Sequence, residues 1–145
     1  MRMFAPMTGA LRLAQIIADL NACWNPHPTQ VLPLNSLFKD NQPIVFCENG
    51  RKWGKTELIA YFLWRRALTT VGGHFYLAPE AKQAREIIWA TQRIQTFGPV
   101  KYLDGTPNET EMRVWFKNGS YIKCDGADNV HSYRGITPHS VVFDE

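Results

Sequence analysis

The stretch Glu48-Asn49-Gly50-Arg51-Lys52-Trp53-Gly54-Lys55-Thr56 holds the residue types an anion cradle needs. Backbone N–H groups converge on phosphate oxygens only where the chain turns tightly, which favours glycine. A helix that starts right after the turn aims the positive end of its dipole at the anion. Gly54-Lys55-Thr56 adds a lysine long enough to reach β- and γ-phosphates and a hydroxyl suited to Mg²⁺. The spacing departs from G-x-x-x-x-G-K-[ST] at one place. Position 49 is Asn49, and Gly50 comes one residue late. Asparagine tolerates left-handed backbone angles, so this exchange is physically mild. The competing reading is a plain glycine turn with an exposed lysine.

A second constellation stands at the far end of the sequence. Ser140-Val141-Val142-Phe143 is an apolar run that ends in Asp144-Glu145. Ligands of open parallel sheets bind beyond the carboxyl ends of the strands. An aspartate there can hold the water shell of Mg²⁺ opposite the lysine. The adjacent glutamate can orient and deprotonate an attacking water. An acidic turn after a strand is common on its own. Paired with the loop, it points to nucleotide binding.

The elements that position these residues follow from periodicity. Thr8 to Ala22 reads as a helix with Leu11, Ala14, Ile17 and Leu20 on one stripe, Leu13 and Ile16 widening it, and Thr8 as N-cap. Asn25-Pro26-His27-Pro28 ends it, and a short helix is expected over Gln30 to Phe38. Ile44-Val45-Phe46-Cys47 has the unbroken apolar character of a strand buried on both faces, the mark of a parallel sheet. A helix over Glu57 to Leu68 follows the loop, then a strand over His74 to Ala78. The next helix runs from Glu80 to Thr96, with Ala84, Ile87, Ile88 and Ile94 inward. Glu111–Lys117 and Tyr121–Asp125 alternate, and Asn118-Gly119 between them predicts a type I′ hairpin.

Composition sets the outer bounds. The 145 residues are 45% hydrophobic and 20% charged, which fits one globular domain rather than a disordered tail. A net charge of +3 permits contact with nucleic acid without the charge density of a DNA-coating protein. Cys23, Cys47 and Cys124 have no C-x-x-C spacing, so they read as small core residues in a reducing compartment. No stretch approaches the roughly 20 apolar residues of a membrane span, which leads to the expectation of a cytoplasmic protein. His27, His74, His131 and His139 lack ligand spacing, so the only metal expected is Mg²⁺ arriving with ATP. Arg65 and Arg66 are read as a solvent-facing pair on a helix, Lys82, Arg85 and Arg93 first as a solvated face and second as a basic face toward DNA, and Arg134 as a solvated loop arginine or partner of Asp128, beside a DNA-contact or trans-acting role.

From about Pro26 to Glu145 the sequence resembles the ATPase domain of the large terminase subunit of tailed bacteriophages. Gly50-Arg51-Lys52-Trp53-Gly54-Lys55-Thr56-Glu57 is similar to that family's arginine-bearing Walker A. Tyr76-Leu77-Ala78-Pro79 through Glu86, the hairpin, Gly126 to Gly135 and Val141-Val142-Phe143-Asp144-Glu145 follow in the family's order. The resemblance implies a P-loop NTPase of the ASCE, RecA-like α/β class with a mainly parallel sheet. It divides the chain into a helical extension over 1–25 and a partial ATPase domain over 26–145, the nuclease domain being absent. It implies ATP and Mg²⁺ as cofactors and an ATPase that drives DNA translocation in the full-length protein.

By the same resemblance, residues Asn49, Gly50, Arg51, Lys52, Trp53, Gly54, Lys55 and Thr56 bind the phosphates, and Gln30 corresponds to an upstream adenine-contacting glutamine. Thr56 and Asp144 hold Mg²⁺. Glu145, Lys55 and Arg51 are the catalytic set. The implied partners are double-stranded DNA, the small subunit, the portal and procapsid, and further copies in a ring. Because family members are much longer, the end at Glu145 reads as a cut. Two alternatives stand beside this reading: a nucleotide-binding fragment without turnover, and a helicase-like P-loop ATPase, which would continue D-E-x-[DH].

Overall fold

The computed structural model describes residues 9–48 and 50–144. Its organising element is β1 (Gly73–Ala78), all six residues of which are buried. β1 pairs in parallel with β3 (Tyr121–Gly126) on one edge and β4 (Ser140–Phe143) on the other. β2 (Arg113–Trp115) runs antiparallel to β3. The result is a mixed four-stranded sheet in the order β2-β3-β1-β4. A strand with neighbours on both edges has no edge toward water, which is why His74 to Ala78 tolerates an uninterrupted run of large side chains.

Among the described residues, four α-helices precede or interleave the strands: α1 (Gly9–Cys23), α2 (Pro28–Phe38), α3 (Lys55–Thr69) and α4 (Ala81–Ala84). α3 is the core helix. Leu58, Ile59, Tyr61, Leu63, Trp64 and Ala67 are buried along it. Trp64 is fully enclosed, donates its indole N–H to the Ile94 carbonyl at 2.8 Å and meets Phe116 edge-on at 4.9 Å. α1 joins the same core through Leu20, while Tyr61 donates to Asn21 and Trp24 stacks near Tyr61. Of the stripe read on α1, Leu20 is enclosed, whereas Leu13 and Ala14 are exposed. The expected Thr8 cap lies outside the described residues.

The remaining differences from the sequence reading have physical causes. Residues 44–47 form no strand, and Ile44 and Phe46 stand 69% and 91% exposed. A strand exists through its ladder: the places beside β1 are held by β3 and β4, and residues 44–47 pair with neither of the sheet's outer edges, at β4 and β2, so the run stays outside the sheet. α4 does not continue as one helix to Thr96. It widens into a π turn over Arg85–Trp89 and then breaks into turns, with Gln92 at φ 58°. The wider turn lets the consecutive Ile88 and Trp89 both face the core and turns Ile87 outward.

The hairpin turn also differs in type. Gly119 alone has positive φ, and its N–H bonds the Phe116 carbonyl. This is a type I turn closed by a glycine bulge, rather than type I′. Asn118 instead ties the turn to α3 by donating to the Ala67 carbonyl at 2.8 Å. Of the cysteines, only Cys124 is buried, and Cys23 and Cys47 are exposed. Cys47 shares the unpaired 44–47 segment, and Cys23 closes α1 at the surface. The segment Ala127–Tyr133 forms a 3₁₀ helix whose Tyr133 packs on Phe75 and hydrogen-bonds Asp125.

Candidate functional site

The loop over residues 50–54 delivers the chain into α3 with two left-handed residues. Lys52 has φ 64° and Gly54, the N-cap of α3, has φ 86°. Gly54 is doubly required. An ideal Cβ there would also lie 2.6 Å from Gln30 Nε2. Gly50 is not, since nothing lies within 4 Å of a Cβ built on it. Among the described loop residues the left-handed angles therefore sit at Lys52 and Gly54 and not at Gly50. The first N–H groups of α3 have no intrahelical partner, which leaves them aimed into the loop's concavity.

That concavity is a cavity of about 660 Å³ lined by Trp24, His27, Gln30, residues 50–57 and Arg93. Lys55 and Thr56 form the first turn of α3, and Arg51 and Lys52 are exposed on the loop. Arg93 arrives from the turns after α4 and ion-pairs with Glu57. The lining thus gathers four basic side chains around a helix N-terminus. It brings together Gly50, Arg51, Lys52, Trp53, Gly54, Lys55, Thr56 and Gln30. Asn49 and Glu145 lie outside the described residues.

Behind the loop stands the first turn of α2. His27 is its N-cap, Pro28 fits the first helical position, and Gln30 closes a capping box by accepting from the His27 N–H. Gln30 Nε2 donates to the Trp53 and Gly54 carbonyls at 3.0 and 3.1 Å. Trp53 Nε1 donates to Thr29 Oγ1 at 2.9 Å. Trp53 is therefore bound to α2 rather than extended toward solvent.

The strand-end acid is close to the loop. Asp144 follows β4 and is buried, and its Oδ1 lies 2.8 Å from Lys55 Nζ. Its Oδ2 accepts a hydrogen bond from the Tyr76 hydroxyl at 2.7 Å. Burial, reinforced by this carboxylate, pushes the Tyr76 phenol well above its ordinary range, so it remains a donor. A buried carboxylate with one cation and one hydroxyl is satisfied on both oxygens. The parallel β1–β4 pairing places Tyr76 opposite Val142, from where it reaches the acid.

The donor set suits a hard cation that brings its own oxygens. Among the described residues no cluster of three His, Cys, Asp or Glu side chains exists. One carboxylate and one hydroxyl, completed by phosphate and water oxygens, match the way Mg²⁺ is held. The remaining basic residues sit elsewhere. Arg66 donates to Ser140 Oγ and the His139 carbonyl, and Arg65 stacks on Phe38. Arg85 donates to the Glu109 carbonyl, Lys82 lies 3.9 Å from Glu86, and Arg134 is exposed.

His27, Thr29, Tyr76 and Arg93 are the site residues that sequence reasoning missed as such. The capping pattern around Pro28 was the one available signal, for His27. Tyr76 and Arg93 reach the site only through strand order and the break after the π turn. No helix among the described residues is long and apolar enough to cross a membrane. No curated protein and no solved structure matches the chain. Residues 46–145 match the family model described as terminase large subunit, T4likevirus-type, N-terminal, a span that holds the loop, the hairpin and Asp144, and the chain belongs to that family.

Proposed function

We propose that this chain is the ATP-binding and hydrolysing segment of a phage DNA-packaging motor, with a P-loop NTPase fold. One observation carries the reading: a loop lysine at a helix N-terminus meets a buried aspartate at the end of a separate strand. The family match supports it. Polyphosphate oxygens compete with Asp144 for Lys55, and the free N–H groups of α3 add to their hold. As Lys55 turns to phosphate, the Asp144 carboxylate is released from the ion pair, while the Tyr76 hydroxyl keeps it fixed. Thr56 and Asp144 would hold Mg²⁺ brought with ATP, which would supply neutralisation of phosphate charge. Arg51 faces the same cavity and takes the role of γ-phosphate contact. Glu145 is the general base by its place next to Asp144.

The test is nucleotide binding and turnover by the 145-residue chain, with and without double-stranded DNA, beside Lys55→Ala. The expected result is micromolar-range ATP binding that Lys55→Ala removes. A folded chain with no affinity for ATP ends the phosphate-loop assignment. Glu145→Gln in a full-length parent is expected to abolish hydrolysis and spare binding. Normal turnover by that variant removes Glu145 from the mechanism. DNA, the small subunit, the portal and a ring of copies are the partners proposed from family membership. A second reading, binding without turnover by the isolated segment, is favoured by the unpaired and exposed 44–47 run leading into the loop. Tight ATP binding with no phosphate release would select it.

A further inference from the structure

The hydrogen bonds behind the loop carry a further inference, which rests on the phosphate-binding reading. Gln30 is 1% exposed, and both of its amide hydrogens are committed to loop carbonyls, at Trp53 and Gly54. Its oxygen accepts from the His27 N–H. Around it the bonds close a ring. The Thr29 hydroxyl accepts from the Trp53 indole at 2.9 Å, so its own proton goes to His27 Nδ1 at 2.8 Å. This assigns the remaining imidazole proton to Nε2, which donates to the Trp53 carbonyl at 3.0 Å. Gln30 and His27 thereby hold two consecutive peptide carbonyls, one of them that of the left-handed Gly54 from which α3 starts, while Thr29 holds the Trp53 side chain beside them.

We infer that Gln30 is a positioning residue: with His27 and Thr29 it braces the loop from behind, so that the first turn of α2 sets how tightly the loop holds polyphosphate, whatever base is attached. A side chain with both amide hydrogens spent on the backbone has no donor left to read a base edge. Loss of the brace releases Trp53 and lets Gly54 leave the φ that aims the N-terminus of α3. The effect falls on the phosphates, because these are what the N–H groups and Lys55 hold.

Gln30→Glu, Gln30→Ala and Thr29→Val are compared with the unaltered chain. Binding of ATP, GTP and inorganic pyrophosphate is titrated, and exchange of the Trp53 indole N–H is followed by NMR without ligand. The Glu variant keeps the shape but sets carboxylate oxygens against two carbonyls. The expected result is a common loss for all three ligands, on the order of tenfold for two lost hydrogen bonds, with faster indole exchange in the ligand-free protein. Thr29→Val, at an exposed position, frees the indole with a smaller common loss, and it keeps the test open if the Gln30 variants do not fold. A loss confined to ATP, with pyrophosphate unchanged, overturns the inference and makes Gln30 a base reader. Unchanged indole exchange in every variant also overturns it. If the unaltered chain binds none of the three ligands while the variants still free the indole, the brace stands and the phosphate reading falls.

Discussion

Tyr76→Phe isolates the hydrogen bond that fixes Asp144. The tyrosine is fully buried, and its hydroxyl lies 2.7 Å from Oδ2. Phenylalanine fills the same space except for one oxygen, so the cavity contribution is small and the lost bond dominates. Hydrogen bonds to charged groups contribute about 1.5–3 kcal/mol, and removing one leaves a buried carboxylate oxygen without a donor. The expected cost is therefore about 2 kcal/mol. Asp144→Asn keeps an acceptor for Tyr76 but weakens the bond from charge-assisted to neutral. It also breaks the pair with Lys55, whose side chain is 45% exposed, so that part contributes under about 1 kcal/mol. In the double variant the bond can be lost only once. The two single costs should exceed the double cost by about 1 kcal/mol or more. Urea unfolding of the four proteins at pH 7 measures this. A Tyr76→Phe cost below about 0.5 kcal/mol, or simple additivity, would refute the idea that the phenol holds the acid in place.

Gly54→Ala should destabilise the chain by about 1–2 kcal/mol, from the positive φ and the approach to Gln30, and Gln30→Ala in the same chain should recover the steric part; paired denaturant melts check both. His74 is buried, with its Nε2 bonded to the Thr70 carbonyl and its pKa pushed down to about 4 by burial. Its unfolded pKa near 6.5 is higher, so the unfolded chain takes up the proton first. Stability should be whole above pH 6.5 and fall by up to about 3 kcal/mol as the pH drops toward 4. Urea midpoints across that range should be flatter for His74→Phe, and an unchanged slope would remove His74 as the cause. Gly98→Ala should cost on the order of 2 kcal/mol because its Cβ would sit 2.5 Å from the enclosed Trp64 ring, with indole fluorescence and melting as the readout.

Much of the scaffold was legible locally. The spacing of Leu58, Tyr61 and Ala67 writes a helical face, and the alternation of Ile122 and Cys124 writes a strand with one covered side. Lys55 and Asp144 were legible for the same reason. Each stands at the junction of a periodic element and a turn, where chain chemistry alone marks a site. The 44–47 run differs from its reading because an apolar sequence records a preference for burial but not whether the run joins a ladder. Tyr76 is written in the sequence only as one residue of the strand over His74 to Ala78. Its hydroxyl matters only because β4 pairs in the register that brings Asp144 to it, a long-range fact with no local trace. The brace on Trp53 needed α2 and the loop to meet in space, and only its capping box was written in consecutive residues. The widened turn at Arg85–Trp89 was hidden because α and π turns use the same residue types.

α3 touches the β4 segment at two places. Lys55, its first residue, grips Asp144 beyond the end of the strand, and Arg66, three turns later, grips Ser140 at the strand's start. At about 1.5 Å per helical residue and 3.3 Å per strand residue, the two spans are of similar length, so helix and strand lie side by side like a beam pinned at both ends. Such a beam cannot slide along its support. On the proposed phosphate binding, drawing Lys55 away would open one pin and leave Arg66 as a pivot. The smallest motion then left to α3 would be a swing about its far end, so a displacement at the loop would reach the sheet as rotation.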